Sequence, residues 1–170
     1  MQKSKLQNRG VAKGLSLLKN NDYERALIAF NNSYDKNPCL EALFGAAASH
    51  RALGDILGAV KKLKAAQEFD PSSFNASYNL GIAFFEALDY DNAIIELNAA
   101  LKINKTSEKA LNLLGKCYEK LSTFNLAEKC FKESINISAS VENILNLSRL
   151  YKETGRSIEA LNLLEPLKQS

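Results

Sequence analysis

Residues Ser77–Leu101 read SYNLGIAFFEALDYDNAIIELNAAL. This is two amphipathic helical segments joined by a short turn, and versions of it recur along the whole chain. An alanine early in the second segment falls at Ala26, Ala59, Ala93, Ala127 and Ala160, at intervals of 33, 34, 34 and 33 residues. A fixed period of this size is the mark of a repeat architecture. A small residue midway along the first segment keeps the same rhythm at Gly14, Ala47, Gly81, Gly115 and Ser148. Three residues further on stand Leu17, His50, Phe84, Tyr118 and Tyr151. Four after the alanine come Phe30, Leu63, Leu97, Phe131 and Leu164. A second small site follows at Ser33, Ala66, Ala100 and Ser134, and that series breaks at Leu167.

The physical reason for the pattern is close helix approach. Two short helices pack tightly when small residues stand where their axes cross and larger ones fill the flanks. A single such pair leaves one apolar face bare, so several must stack.

With these residues in place the chain resembles the tetratricopeptide repeat family. Leu80-Gly81, Phe84, Tyr90, Ala93, Leu97 and Ala100 carry the resemblance, with a proline after the second helix at Pro38 and Pro71. It covers five units, approximately 7–39, 40–73, 74–107, 108–140 and 141–170. Lys105 and Ala139 replace the proline after the third and fourth units, and Ser157 stands where the last turn aromatic belongs. The resemblance implies an all-α, right-handed superhelical solenoid of about ten antiparallel helices, with residues 1–170 as one domain.

Turn and cap signals give the element bounds. Helix pairs are expected near 8–20 and 23–36, 40–53 and 56–69, 74–87 and 90–103, 108–121 and 124–137, and 141–154 and 157–168. Asp22, Asp55, Asp89 and Thr123 stand where a side-chain oxygen accepts from an orphaned N–H at a helix start, and Ser107 is placed the same way. Arg156 breaks that series in the fifth unit.

Composition narrows the function classes. The 170 residues are 46% hydrophobic and 24% charged, ordinary for a globular protein. A net charge of +3 is too mild for a nucleic-acid partner. No run is long and apolar enough to predict membrane insertion, and the basic N-terminus has no signal-peptide core. Cys39, Cys117 and Cys130 are odd in number and without CxxC spacing. Cys117 and Cys130 read as small buried helix residues in a reducing compartment, so a cytoplasmic location is expected.

No constellation predicts catalysis, a metal site or a cofactor. Gly115-Lys116 lacks the flanking residues of a phosphate loop. The single histidine, His50, occupies the position of Leu17, Phe84, Tyr118 and Tyr151, so packing is its first expected role.

Function is then expected on the face that the first helices turn away from the second. The candidates are Val11, Leu15, Phe44, Tyr78, Asn79, Ile82, Phe85, Lys109, Asn112, Lys116, Asn146 and Arg149. The earlier half of this set is apolar and aromatic; the later half is basic with amides, with Lys120 and Lys152 beside it. Apolar residues gathered on one exposed face mark a partner site, and asparagine can pair with an extended peptide backbone. In the alternative, Phe44, Tyr78 and Phe85 pack against neighbouring helices and the lysines keep the surface soluble.

Some family members grip a terminal carboxylate with a Lys/Asn/Asn/Lys/Arg clamp. The matching positions here are Val11, Leu15, Gly45, Asn75 and Asn79, or Tyr78, Ile82, Leu113, Glu142 and Asn146. Neither set has the basic grip, so that activity is not implied. Of the asparagine ladder used by other members, Asn79 and Asn146 match, while Gly45 and Leu113 do not.

The expected function is a non-catalytic interaction module that holds a peptide or helix of a partner protein. The last helix, with Leu161, Leu163, Leu164 and Leu167 and no polar helix after it, suggests a second possibility: a scaffold that self-assembles as a homo-oligomer through its C-terminal helix. A third is the repeat portion of a larger enzyme or of a secretion-chaperone system, although five units and a basic balance argue against the latter.

Overall fold

The computed structural model describes the backbone of residues 2–168 and the side chains of residues 9–166; the expectation for the Leu167 side chain lies outside the described residues. Among the described residues ten α-helices form: α1 (Gln2–Lys19), α2 (Tyr23–Lys36), α3 (Leu40–Ala52), α4 (Ile56–Phe69), α5 (Phe74–Glu86), α6 (Tyr90–Ile103), α7 (Glu108–Lys120), α8 (Phe124–Ile137), α9 (Val141–Glu153) and α10 (Ser157–Leu164). There is no strand among the described residues. A 3-10 turn over Glu165–Lys168 ends α10 early, at Pro166, whose ring cannot continue the ladder. The chain divides into two compact units, Met1–Ala87 and Leu88–Ser170.

In the first unit α2 packs on α1 and α3, α4 packs on α3 and α5, and α1 touches α3. Phe30 is fully buried in a cluster with Val11, Ala26, Ala42 and Ala46, a burial that contributes about 2–3 kcal/mol. Its ring lies between two glycines. A Cβ on Gly14 would stand 2.6 Å from Phe30 Cε1, and a Cβ on Gly45 would overlap the same ring. In the second unit Gly115 faces Phe131 in the same way, at 2.6 Å. There α7 packs on α6 and α8, α9 on α8 and α10, and α7 touches α9.

The five turns share one backbone device. Asn21, Gly54, Leu88, Ser122 and Gly155, at equivalent positions, have φ of 59°, 77°, 62°, 57° and 78°. In four of them the next residue returns its N–H to the carbonyl five residues back: Asp22 to Leu17 at 2.9 Å, Asp55 to His50 at 2.9 Å, Thr123 to Tyr118 at 2.8 Å and Arg156 to Tyr151 at 2.7 Å. This closes the helix end in a Schellman arrangement.

The aspartates then cap the second helices: Asp22 accepts from the Arg25 N–H at 3.3 Å, Asp55 from Gly58 at 2.8 Å and Asp89 from Asn92 at 3.2 Å. Thr123 departs from expectation, because its hydroxyl donates back to the Leu121 carbonyl at 3.4 Å and no side-chain cap forms. Ser107 caps α7 as expected, and Ser73 and Ser140 do the same for α5 and α9. His50 does more than pack. Its Nδ1 lies 2.8 Å from Asp55 Oδ2, tying the end of α3 to the cap of α4. Asp55 is held below its ordinary pKa, first by the Gly58 N–H and then by His50.

Arg156, which breaks the aspartate series, builds a different junction. Its guanidinium reaches Glu128 Oε2 at 2.6 Å and Glu159 at 2.6 Å, and lies 4.1 Å over the Tyr151 ring. Lys132 and the Tyr151 hydroxyl complete the set around Glu128, at 2.7 Å and 3.0 Å. Together these donors, Arg156 foremost, draw the Glu128 pKa down to about 2.

Candidate partner-binding face

The first helices carry the candidate residues, and their environments differ between the two units. In the first unit Leu15 is 55% exposed. Phe44, Tyr78, Asn79, Ile82 and Phe85 are half-buried. Phe44 packs on the clusters around Leu43 and Leu80. Tyr78 stacks on Phe74 with ring centres 5.5 Å apart and planes 10° apart. Both rings thus pack within the helix stack while remaining partly exposed. Val11 is different: it is only 8% exposed, in the Phe30 cluster. The larger Phe44 and Tyr78 stand at the equivalent positions of the next two repeats, while the smaller Val11 is taken up in the core.

Sequence reasoning missed the ion pair that closes this face. Arg51 donates from Nε to Glu86 Oε2 at 2.8 Å and from its terminal nitrogen to Oε1, linking α3 to α5. The Glu86 carboxylate holds the guanidinium above its ordinary pKa. Beside the pair a cleft of about 470 Å³ is lined by Ala48, Arg51, Ala52, Ile56 and Glu86.

In the second unit the basic character is partly neutralised from within. Lys116 lies 3.6 Å from Glu142, and Arg149 lies 3.0 Å from Glu119 and 3.8 Å from Glu153. Lys109, Lys120 and Lys152 are exposed and have no ion pair among the described residues.

Asn112 and Asn146 are buried, 6% and 5% exposed. Asn143 fixes the orientation of Asn112. Its own Nδ2 donates to the Ser138 and Ser134 carbonyls at 2.7 and 3.4 Å, so its Oδ1 is left to accept from Asn112 Nδ2. Among the described residues Asn112 Oδ1 is then an acceptor with no partner, and Asn146 Nδ2 is a donor with none. An unpaired buried polar atom costs about 1–3 kcal/mol. Two of them on first helices that touch each other are therefore a costly feature. Asn143 was legible in sequence only as another asparagine.

The glycine that interrupts the asparagine series also has a structural cause. Gly45 accommodates Phe30, so a side chain cannot stand there. Among the described residues no three His, Cys, Asp or Glu side chains are grouped to hold a metal, and no helix is long and apolar enough to cross a membrane. The three cysteines are free and buried.

Comparison with known proteins agrees with this architecture. Tetratricopeptide repeat family models match residues 11–74 and 49–109, and 108–140. A Drosophila melanogaster protein, the BBSome complex member BBS4 homolog, is 26% identical over 105 residues, 58% of this chain. The chain spans 22% of that protein's length. MamA of Desulfovibrio magneticus RS-1 superposes with a TM-score of 0.86 at 18% identity, covering 99% of this chain and 95% of that one. A thermophilic repeat protein of Thermus thermophilus gives a TM-score of 0.74 at 22% identity, over 94% of this chain and 89% of the other. At these identities the likeness speaks for the fold. The chain belongs to the tetratricopeptide repeat family.

Proposed function

We propose that this protein is a non-catalytic interaction module that binds an extended peptide or a helix of a partner protein on the faces of its first helices. The five repeats act in this reading as one cytoplasmic binding domain. The observation that carries it is the apolar set Tyr78, Ile82 and Phe85, half-buried on one first helix, with exposed Leu15 on another. Apolar area gathered on one face can hold a partner's side chains, and the exposed Lys109, Lys120 and Lys152 favour carboxylates.

The test is a selection of binding peptides from a displayed library, followed by measurement on Ile82→Ala. The variant should bind the selected peptides at least tenfold more weakly, with helical circular dichroism unchanged. Unchanged peptide affinity would remove Ile82 from the site.

A further inference from the structure

A cleft of about 720 Å³ in the first unit lies between α1 and α2, away from the candidate face. Leu17, Ile28 and Ala29 supply its apolar lining, and Arg9, Lys13, Arg25 and Lys36 its charge. No carboxylate is among its described lining residues. The nearest one paired with these cations is Asp22, 3.2 Å from Arg25.

The repeats show what covers this place elsewhere. Lys13 is equivalent to Ala46, Leu80, Leu114 and Leu147, and all four are buried. Ala46 packs in one cluster with Ala26 and Phe30 of α2, Leu80 with Leu63 of α4, and Leu147 with Ala127 and Phe131 of α8. Gly10, also in the cleft, is equivalent to Leu43, which packs beside Tyr34 of α2. In each of these repeats the second helix of the preceding repeat lies on this face. In the first repeat this face holds the cleft, and the exposed Lys13 replaces the apolar residue.

The helix α10 has the matching features. Leu161 is equivalent to Leu27 and Val60, which are half-buried on clusters that include residues of the following repeat. Leu161 itself is 58% exposed, and Ile158 beside it is exposed too. The described side chains of α10 and its 3-10 turn bring Glu159 and Glu165 and no cation. Glu159 is shared with Arg156.

We infer that the cleft between α1 and α2 receives α10 of a second copy of this chain. Leu161 enters the apolar floor in the role that Leu27 and Val60 play between repeats, and Glu165 faces Lys13 and Lys36. Such a contact is heterologous, joining the head of one copy to the tail of the next, so it propagates into chains or closes into rings. It is independent of the proposed peptide-binding face.

The experiment is analytical ultracentrifugation of the full chain and of two exposed-surface variants, with helical content followed by circular dichroism. Wild type should associate as its concentration rises. Lys13→Glu with Lys36→Glu should weaken association at least tenfold, and Leu161→Lys should do the same. An equimolar mixture of the two variants should associate again, because each retains the end that the other lacks. Leu57→Lys, on an exposed residue outside both surfaces, should associate like wild type. A monomeric wild type, variants that associate unchanged, or a mixture that remains monomeric would each overturn the inference.

Discussion

Glu128 and Arg156 form the charged junction between the fourth and fifth repeats, joined by hydrogen bonds of 2.6 and 3.4 Å. Glu128 stands where earlier repeats place Leu27, Val60 and Ile94, and Arg156 where they place a capping aspartate. Two departures from the repeat pattern thus answer one another. An apolar contact and a cap are exchanged for an ion-pair cluster resting on the Tyr151 ring.

This exchange makes the last repeat acid-sensitive. Glu128 titrates at about 2 in the fold, below the ordinary glutamate value near 4.3. A depressed carboxylate contributes stability above its unfolded pKa and loses it as pH falls through the folded one. Stability should therefore decline as pH falls from about 4.5 towards 2. Arg156→Ala should lower the melting temperature at neutral pH and flatten that decline. Thermal melts of both proteins across this range check the point, and parallel pH profiles would contradict it. The effect should also shrink with added salt, because the cluster is partly exposed.

The helix crossings should tolerate no added volume. Gly45→Ala would drive a methyl into the Phe30 ring, and Ala93→Leu would overfill a site with no exposed surface; each should cost about 1–3 kcal/mol. Ala87→Leu, at the exposed end of α5, should cost much less. Urea denaturation ranks the three. A costlier change at Ala87 than at Ala93 would mean that the repeat register is wrong.

Leu88 holds a left-handed backbone with φ of 62°, where two of the equivalent turns use glycine. Its side chain is 71% exposed, so little packing is lost on removal. Leu88→Gly should stabilise the protein by about 0.5–1 kcal/mol, the relief of strain exceeding the added chain entropy. Denaturation midpoints would show the gain; a loss of stability would mean that the side chain contributes packing which its exposure hides.

Burial pushes the Cys117 thiol up to about 12 and the Cys130 thiol up to about 11. The thiolate is the reactive form. Neither cysteine should react with a thiol reagent at neutral pH until the protein is unfolded. Rapid labelling of the native state at either position would show that the second unit opens there.

The fold was legible in the sequence because five copies of one pattern share one physical demand. Small residues at crossings and aspartates at turns leave little choice of element bounds, and α2 through α9 fall within a residue of expectation. What the pattern could not convey was the non-repeating chemistry. Nothing in the spacing of Glu128 and Arg156 says that they meet, since the contact depends on two departures landing side by side. Thr123 has the right chemistry for a cap, but its hydroxyl finds a carbonyl first. Val11 occupies a face position by register and a core position by size. Asn112 and Asn146 were visible as amides, yet their burial and their missing partners belong to three dimensions alone.

If the first-helix faces hold a partner, calorimetric titration with one selected peptide will depend on them. Wild type should be compared with Tyr78→Ala/Phe85→Ala and with the exposed-surface control Leu57→Ala. The double variant alone should lose at least tenfold in affinity, with helical circular dichroism unchanged in all three. Equal affinity in the wild type and the double variant would contradict it.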